Sequence, residues 1–132
     1  MSPAEIKQDW DRTVDGWMRA GVRYRFQGDD PATGLDCWRG VVRLLYRRAG
    51  IDLPDHVRDE QDRQGRRHIG DGILERYRAH FHRVGLDQAR LGDVAALVFP
   101  GDTHAGVLLD PTWLAHATDG AGVARTRLAA LV

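Results

Sequence analysis

Cysteine is nearly absent. Cys37 is the only one in 132 residues, which excludes an internal disulfide framework and any cysteine-rich zinc site. Long apolar runs are missing too, and nothing approaches the roughly eighteen consecutive residues of a membrane span. No charge sign is in excess: 19 basic residues face 19 acidic ones. That argues against a nucleic-acid binder dependent on phosphate attraction and against a polybasic membrane anchor. The opening residues, MSPAEIKQDWDR, lack a basic stretch followed by an apolar one, so no secretory signal is expected. Lysine is scarce, Lys7 alone, which reads as coding bias. What is present is 42% hydrophobic and 29% charged residues, the balance of a globular, soluble chain. The length suits a single domain over residues 1–132.

The chain shows no repeat and no linker. Ser2 to Ala20 reads as a helix, with Ser2 as cap, Pro3 at the first helical position, and Ile6, Trp10, Val14 and Trp17 at helical spacing. After Gly21 comes an irregular stretch, VRYRFQGDDPATG. The spacing predicts a second helix from about Asp36 to Ala49, stopped at Gly50. Its apolar residues cover most of the circumference, so it is expected to be central, with Arg39, Arg43 and Arg47 as one solvated stripe. Residues 52–68 read as a loop, and a third helix is expected over Asp71–His82. Four short strands follow, Val94–Phe99, Ala105–Leu109, Thr112–Ala117 and Val123–Leu128, separated by PGDT, DP and TDGAG turns. Helices first and an antiparallel meander last predict an α+β fold with the helices on one face of the sheet.

A lone cysteine is either a small buried hydrophobe or a nucleophile. Cys37 falls at the first turn of the expected central helix with Asp36 as its N-cap. Unpaired N–H groups there favour a thiolate. A thiolate nucleophile needs a histidine within reach and a group to orient it. His104 and His116 are twelve residues apart, an even number, so paired strands would present both on one face. A hairpin centred on Asp110 would set them opposite each other, and Gly106 on that face would let the Cys37 helix approach closely. The alternative is a pair of half-buried strand histidines without function. His80 and His82 point apart on a helix, so a metal site with His68 is not expected. Arg66, Arg67, Arg76 and Arg78 read as a solvated basic face.

The segment GVRYRFQGDDPATGLDCWRGVVRLLYRRAGIDLP resembles the nucleophile region of the NlpC family of papain-like cell-wall cysteine peptidases. That family shows a Tyr-Arg-aromatic-Gly segment, an Asp-Cys-Ser-Gly helix start and a Gly-Ile-x-Leu-Pro ending. LGDVAALVF, HAGVLL and WLAHAT are similar to its later strands, in its order. The resemblance covers most of residues 20–118. It implies a papain-like fold, with Cys37 as nucleophile, His104 as base and His116 as the residue orienting His104. Tyr24 would lie by the nucleophile, at the oxyanion or the substrate, and Asp36 would be structural. Two departures from the pattern stand out: Gln27 lies where a glycine is usual, and Trp38 and Arg39 replace the serine, with Gly40 one residue late.

The resemblance further implies a cysteine endopeptidase acting on peptidoglycan stem peptides, most often at the D-γ-glutamyl–diaminopimelate bond, with no metal or organic cofactor. Short members of this type resemble the peptidases of phage tails and gene transfer agents. The expected partners are therefore tail-tip or baseplate proteins, with no nucleic acid and no membrane insertion. The chain would be made in the cytoplasm and incorporated into a virion or tail-like particle. Alternatives are a structural tail-tip subunit without turnover and a cysteine–histidine amidase. A lipid acyltransferase on the permuted fold places its histidine before its cysteine, against the order here.

Overall fold

The computed structural model describes residues 1–55, 79–99 and 102–131. Helix α1, Pro3–Arg19, starts on a capping box: Ser2 Oγ accepts from the Glu5 N–H at 3.2 Å, and Glu5 accepts from the Ser2 N–H at 3.1 Å. Trp10 and Val14 are buried, with Ile6 and Trp17 packed partly against the same core, as the spacing predicts. The stretch after Gly21 is more ordered than expected. It holds the short hairpin β1 (Asp29–Asp30) and β2 (Gly34–Leu35), and Tyr24 bridges Leu35 in parallel.

The central helix does not start as an α-helix. Cys37–Val42 is a π-helical turn that continues into α2, Arg43–Arg48. Asp36 supplies the reason. Its Oδ1 accepts from the Gly40 N–H at 2.8 Å, the N–H that an α-helix would direct to the Asp36 carbonyl. That carbonyl instead accepts from the Val41 N–H at 3.0 Å, five residues on, so the turn widens. The other end closes as expected: with Gly50 at φ +86°, its N–H donates to Arg47 O and that of Ile51 to Tyr46 O. The arginine stripe is not solvated as expected. The Arg39 and Arg43 side chains are only 20% and 12% exposed, because Asp55 pairs with both. Arg47 alone stays out in solvent.

The sheet is an antiparallel meander, β3 (Val94–Phe99), β4 (Asp102–Leu108), β5 (Trp113–Thr118) and β6 (Gly122–Arg127). With the helices it makes the mixed α+β architecture that the pattern predicts, consistent with a papain-like fold. Ala105, Val107, Ala115, Ala117 and Val123 meet Val41, Val42 and Leu45 in the main core. Leu108 and Leu114 point to a smaller cluster closed by Leu128, so both faces are covered. The expected helix over Asp71–His82 lies mostly outside the described residues; 79–82 form a turn and irregular chain. His68 and the four arginines at 66, 67, 76 and 78 also lie outside them. Among the described residues no helix is long and apolar enough to cross a membrane.

Gly40 is where the helix presses hardest on its surroundings. A Cβ there would come within 2.8 Å of both Gly28 O and Leu35 Cβ. Gly40→Ala should therefore lower unfolding free energy by about 1–3 kcal/mol through overpacking. Gly16→Ala, mid-helix with nothing within 4 Å of the new Cβ, should raise it by about 0.5–1 kcal/mol. Urea midpoints of the two variants check both signs.

Candidate active site

The β4/β5 pairing is short. Val107 opposes Ala115 and Leu108 opposes Leu114, whereas β3/β4 and β5/β6 pair along their whole lengths. Leu109 N–H donates to Trp113 O, so the hairpin centres on Pro111 rather than Asp110. The expected placement of His104 directly opposite His116 is therefore corrected by two residues, with the register setting Gly106 opposite His116. The cause is local. Asp110 Oδ1 accepts from the N–H groups of both Thr112 and Trp113 at 2.8 Å, an Asx turn that lengthens the loop. Gly106 also has another role than expected. A Cβ on it would strike Ala115 O and the Leu114 side chain at 2.7 Å, so the close approach is by β5 rather than by the helix.

Beyond this short ladder the two strands part, and the helix that carries Cys37 enters. Leu108 N–H points to β3, where it donates to Asp93 O. By antiparallel alternation, the N–H groups of Val107 and Ala105 point toward β5. Val107 is in the ladder and Ala105 is beyond it. The Ala105 N–H is directed at the Cys37 sulfur. Cys37 thus meets β4 at main-chain level, at the residue that follows His104.

The two histidines touch. His104 Nε2 lies 2.8 Å from His116 Nδ1, with ring planes inclined by 64°. Their contact crosses the strand pair diagonally, on the face of Leu108 and Leu114. His116 is 5% exposed and its other nitrogen, Nε2, lies 2.7 Å from Thr126 Oγ1 on β6. Burial, aided by the charge His104 carries when protonated, pulls His116 down to about 4. It is a neutral imidazole at ordinary pH.

The thiol is less acidic than its position at a helix start suggests. Burial first, and the Asp36 carboxylate second, push Cys37 up to about 12. The N–H groups of Ala105, Trp38 and Cys37 itself favour the thiolate, and desolvation outweighs them. Asp36 is 7% exposed and pushed up to about 7 by burial, against the N–H groups of Gly40 and Arg39 that hold it down. Its placement at the helix start is the structural one expected. Cys37 itself is only half-buried, so the resting site holds a neutral thiol with some opening to solvent.

Both departures from the expected pattern acquire reasons. Trp38 is buried in the main core, so it is a packing residue. Gln27 sits at φ +58°, the left-handed conformation that a glycine adopts freely, at a cost of about 1 kcal/mol. Its carbonyl accepts from Arg39 Nη1 at 2.9 Å, while the rest of that guanidinium pairs with Asp29 and Asp55. Arg39 therefore ties together the loops before and after the helix that carries Cys37.

Tyr24 approaches the site along the main chain. Arg25 N–H donates to Leu35 O and Leu35 N–H to Arg23 O, placing Tyr24 beside the residue two before Cys37. It also lines a shallow cavity of about 380 Å³ with Val22, Arg23 and the β5–β6 turn; Cys37, His104 and His116 are not in its walls. Among the described residues no group of three or more His, Cys, Asp or Glu side chains could hold a metal ion.

The profile of the NlpC/P60 family matches residues 21–130, nearly the whole chain after α1. The chain belongs to the NlpC/P60 family. No curated protein matches it. Membership implies cell-wall hydrolase activity, and NlpC/P60 proteins are generally cysteine peptidases or amidases with peptidoglycan as substrate. In this NlpC/P60 domain, sequence reasoning missed Thr126 and the clamp role of Arg39. Thr126 had a signal. A turn centred on TDGAG pairs position 116 with 124, so 126 is the next residue on the same face.

Asp36 and His116 bias stability with pH in opposite directions. Asp36 keeps its proton in the fold up to about 7, against 3.8 for an ordinary aspartate. Its contribution is complete below pH 3.8 and is lost as pH rises through 7. His116 stays neutral down to about 4 while an ordinary histidine charges at 6.5, so its contribution is lost as pH falls from 6.5 to 4. The two slopes oppose each other over the same interval. Asp36→Asn, which keeps the cap acceptor, should make urea midpoints rise more steeply from pH 4 to 6.5 than in wild type. His116→Asn should make them fall.

Proposed function

We propose that this chain is a thiol-dependent endopeptidase cutting an amide bond in peptidoglycan stem peptides, with the D-γ-glutamyl–diaminopimelate bond as first candidate. One observation carries the reading. The Cys37 sulfur lies against the amide of the residue following His104, and His104 is held by His116 through Nε2. In this reading Nδ1 of His104 exchanges the proton with Cys37.

The neutral thiol determines the order of events. Cys37 Sγ attacks the substrate carbonyl carbon as its proton passes to His104 Nδ1, giving a thiol-linked tetrahedral oxyanion and an imidazolium. The Cys37 N–H, at the helix start, is one donor for that oxyanion, and Tyr24 is assigned to the same side of the substrate. Collapse breaks the C–N bond, and the departing amine takes the proton from His104. A water molecule, deprotonated by His104, then attacks the acyl-enzyme; the acid leaves and the thiol is restored.

Cys37→Ala and His104→Ala should each reduce digestion of purified peptidoglycan by about 10³-fold or more. Mass spectrometry of the wild-type products then assigns the bond: cleaved stems identify a peptidase, and whole stems freed from glycan identify an amidase. The raised thiol pKa favours one rival, a structural subunit on the same fold. Equal, background digestion by wild type and Cys37→Ala would establish that rival.

The setting we propose is a phage tail or tail-like particle, with tail-tip or baseplate proteins as partners and delivery by the particle from a cytoplasmic origin. The reading comes from the likeness of short members of this family to the peptidases of phage tails and gene transfer agents. Proteomics of purified particles should recover the chain together with tail proteins, and its absence from them would refute this setting.

A further inference from the structure

Three polar side chains from three consecutive strands form a continuous line: His104 on β4, His116 on β5 and Thr126 on β6, at 2.8 and 2.7 Å. Each contact needs one hydrogen and one lone pair, so the line has a direction. When His104 is an imidazolium, both its nitrogens carry hydrogen, and Nε2–H must donate to His116 Nδ1. His116, deep in the fold and neutral, then carries its only hydrogen on Nε2. That hydrogen needs an acceptor, and the atom facing it is Thr126 Oγ1.

We propose that Thr126 is a positioning residue that accepts from His116 Nε2–H and so fixes the His116 tautomer in which Nδ1 receives the hydrogen bond of protonated His104. The proposal rests on the reading of His104 as the base, but its first test does not. A hydroxyl is both donor and acceptor, and the neutral pair could run the other way. In the reverse direction His104 carries its hydrogen on Nδ1, the nitrogen assigned to accept the thiol proton, and is inert as a base. Thr126 therefore selects between a competent and an incompetent arrangement of the same two rings. Nothing in the expected triad requires a third strand; the register His116↔Ala124 brings Thr126 beneath the ring.

The test compares wild type, Thr126→Val and Thr126→Ser. Valine matches the shape of threonine without the hydroxyl, and serine keeps the hydroxyl without the methyl. Imidazole ¹⁵N shifts of the intact protein report the tautomer with no substrate present. The expected result is His116 with hydrogen on Nε2 in wild type and Thr126→Ser, and a mixed population in Thr126→Val. In peptidoglycan turnover, Thr126→Val should lose about 10-fold in kcat with KM unchanged, the order expected for one buried acceptor, and serine should restore most of it.

Hydrogen on His116 Nδ1 in wild type, or an unchanged tautomer in Thr126→Val, would overturn the proposal. So would an equal loss of kcat in the valine and serine variants. The expected tautomers in a wild type that leaves peptidoglycan intact would support the role of Thr126 and refute the peptidase reading alone.

Discussion

The hydrogen bond from the Gly40 N–H to the Asp36 carboxyl governs the geometry around Cys37. By taking a donor that the helix would use itself, Asp36 displaces the ladder by one residue and opens a π turn under Cys37. A side chain in that acceptor role is an ordinary N-cap, but here it holds the fourth N–H, of Gly40, besides that of Arg39 at the usual third position. The widened turn lies against the parted strands β4 and β5, where the Ala105 amide meets the sulfur. Gly40 is then obligatory, because the same turn seats against Gly28 and Leu35. Asp36, burial of the thiol and the glycine are parts of one arrangement.

The consequence is a site built from neutral groups. Burial raises both Asp36 and Cys37 and lowers His116, so each resists the charge it would carry in water. In the proposed mechanism, charge arises when substrate arrives and the thiol proton moves. A line of hydrogen bonds that can accommodate an imidazolium at one end suits such a site better than a permanent ion pair, which would need solvent or counter-charge to persist in this setting.

Much of this was legible from residue order. The capped first helix, the Gly50 stop, the four strands and the proximity of His104 to His116 follow from spacing that the backbone repeats physically. Apolar positions recur at the helical period in α1, and turn residues punctuate the meander. The π turn was not legible, because it depends on which of two acceptors the Gly40 N–H chooses. The β4/β5 register was misjudged by two residues because Asp110 adds an Asx turn, a side-chain event that counting residues misses. Arg39 and Arg43 looked solvated because helical spacing shows which residues share a face; their pairing with Asp55 comes from the chain folding back. The acidity of Cys37 was misjudged for a related reason: the helix start is written in the sequence, and the depth at which it is buried is not.

One main-chain path ties the C-terminal hairpin to the start of the Cys37 helix. Val123 N–H donates to Val22 O, and the next residue, Arg23, accepts from Leu35 N–H. Gly122 permits this by packing flush against the Val22 carbonyl. A tug on the β5–β6 hairpin therefore travels through a few peptide units to the backbone just ahead of Cys37, without passing through the hydrophobic interior. Whatever body seizes that hairpin holds a lever on the Cys37 sulfur.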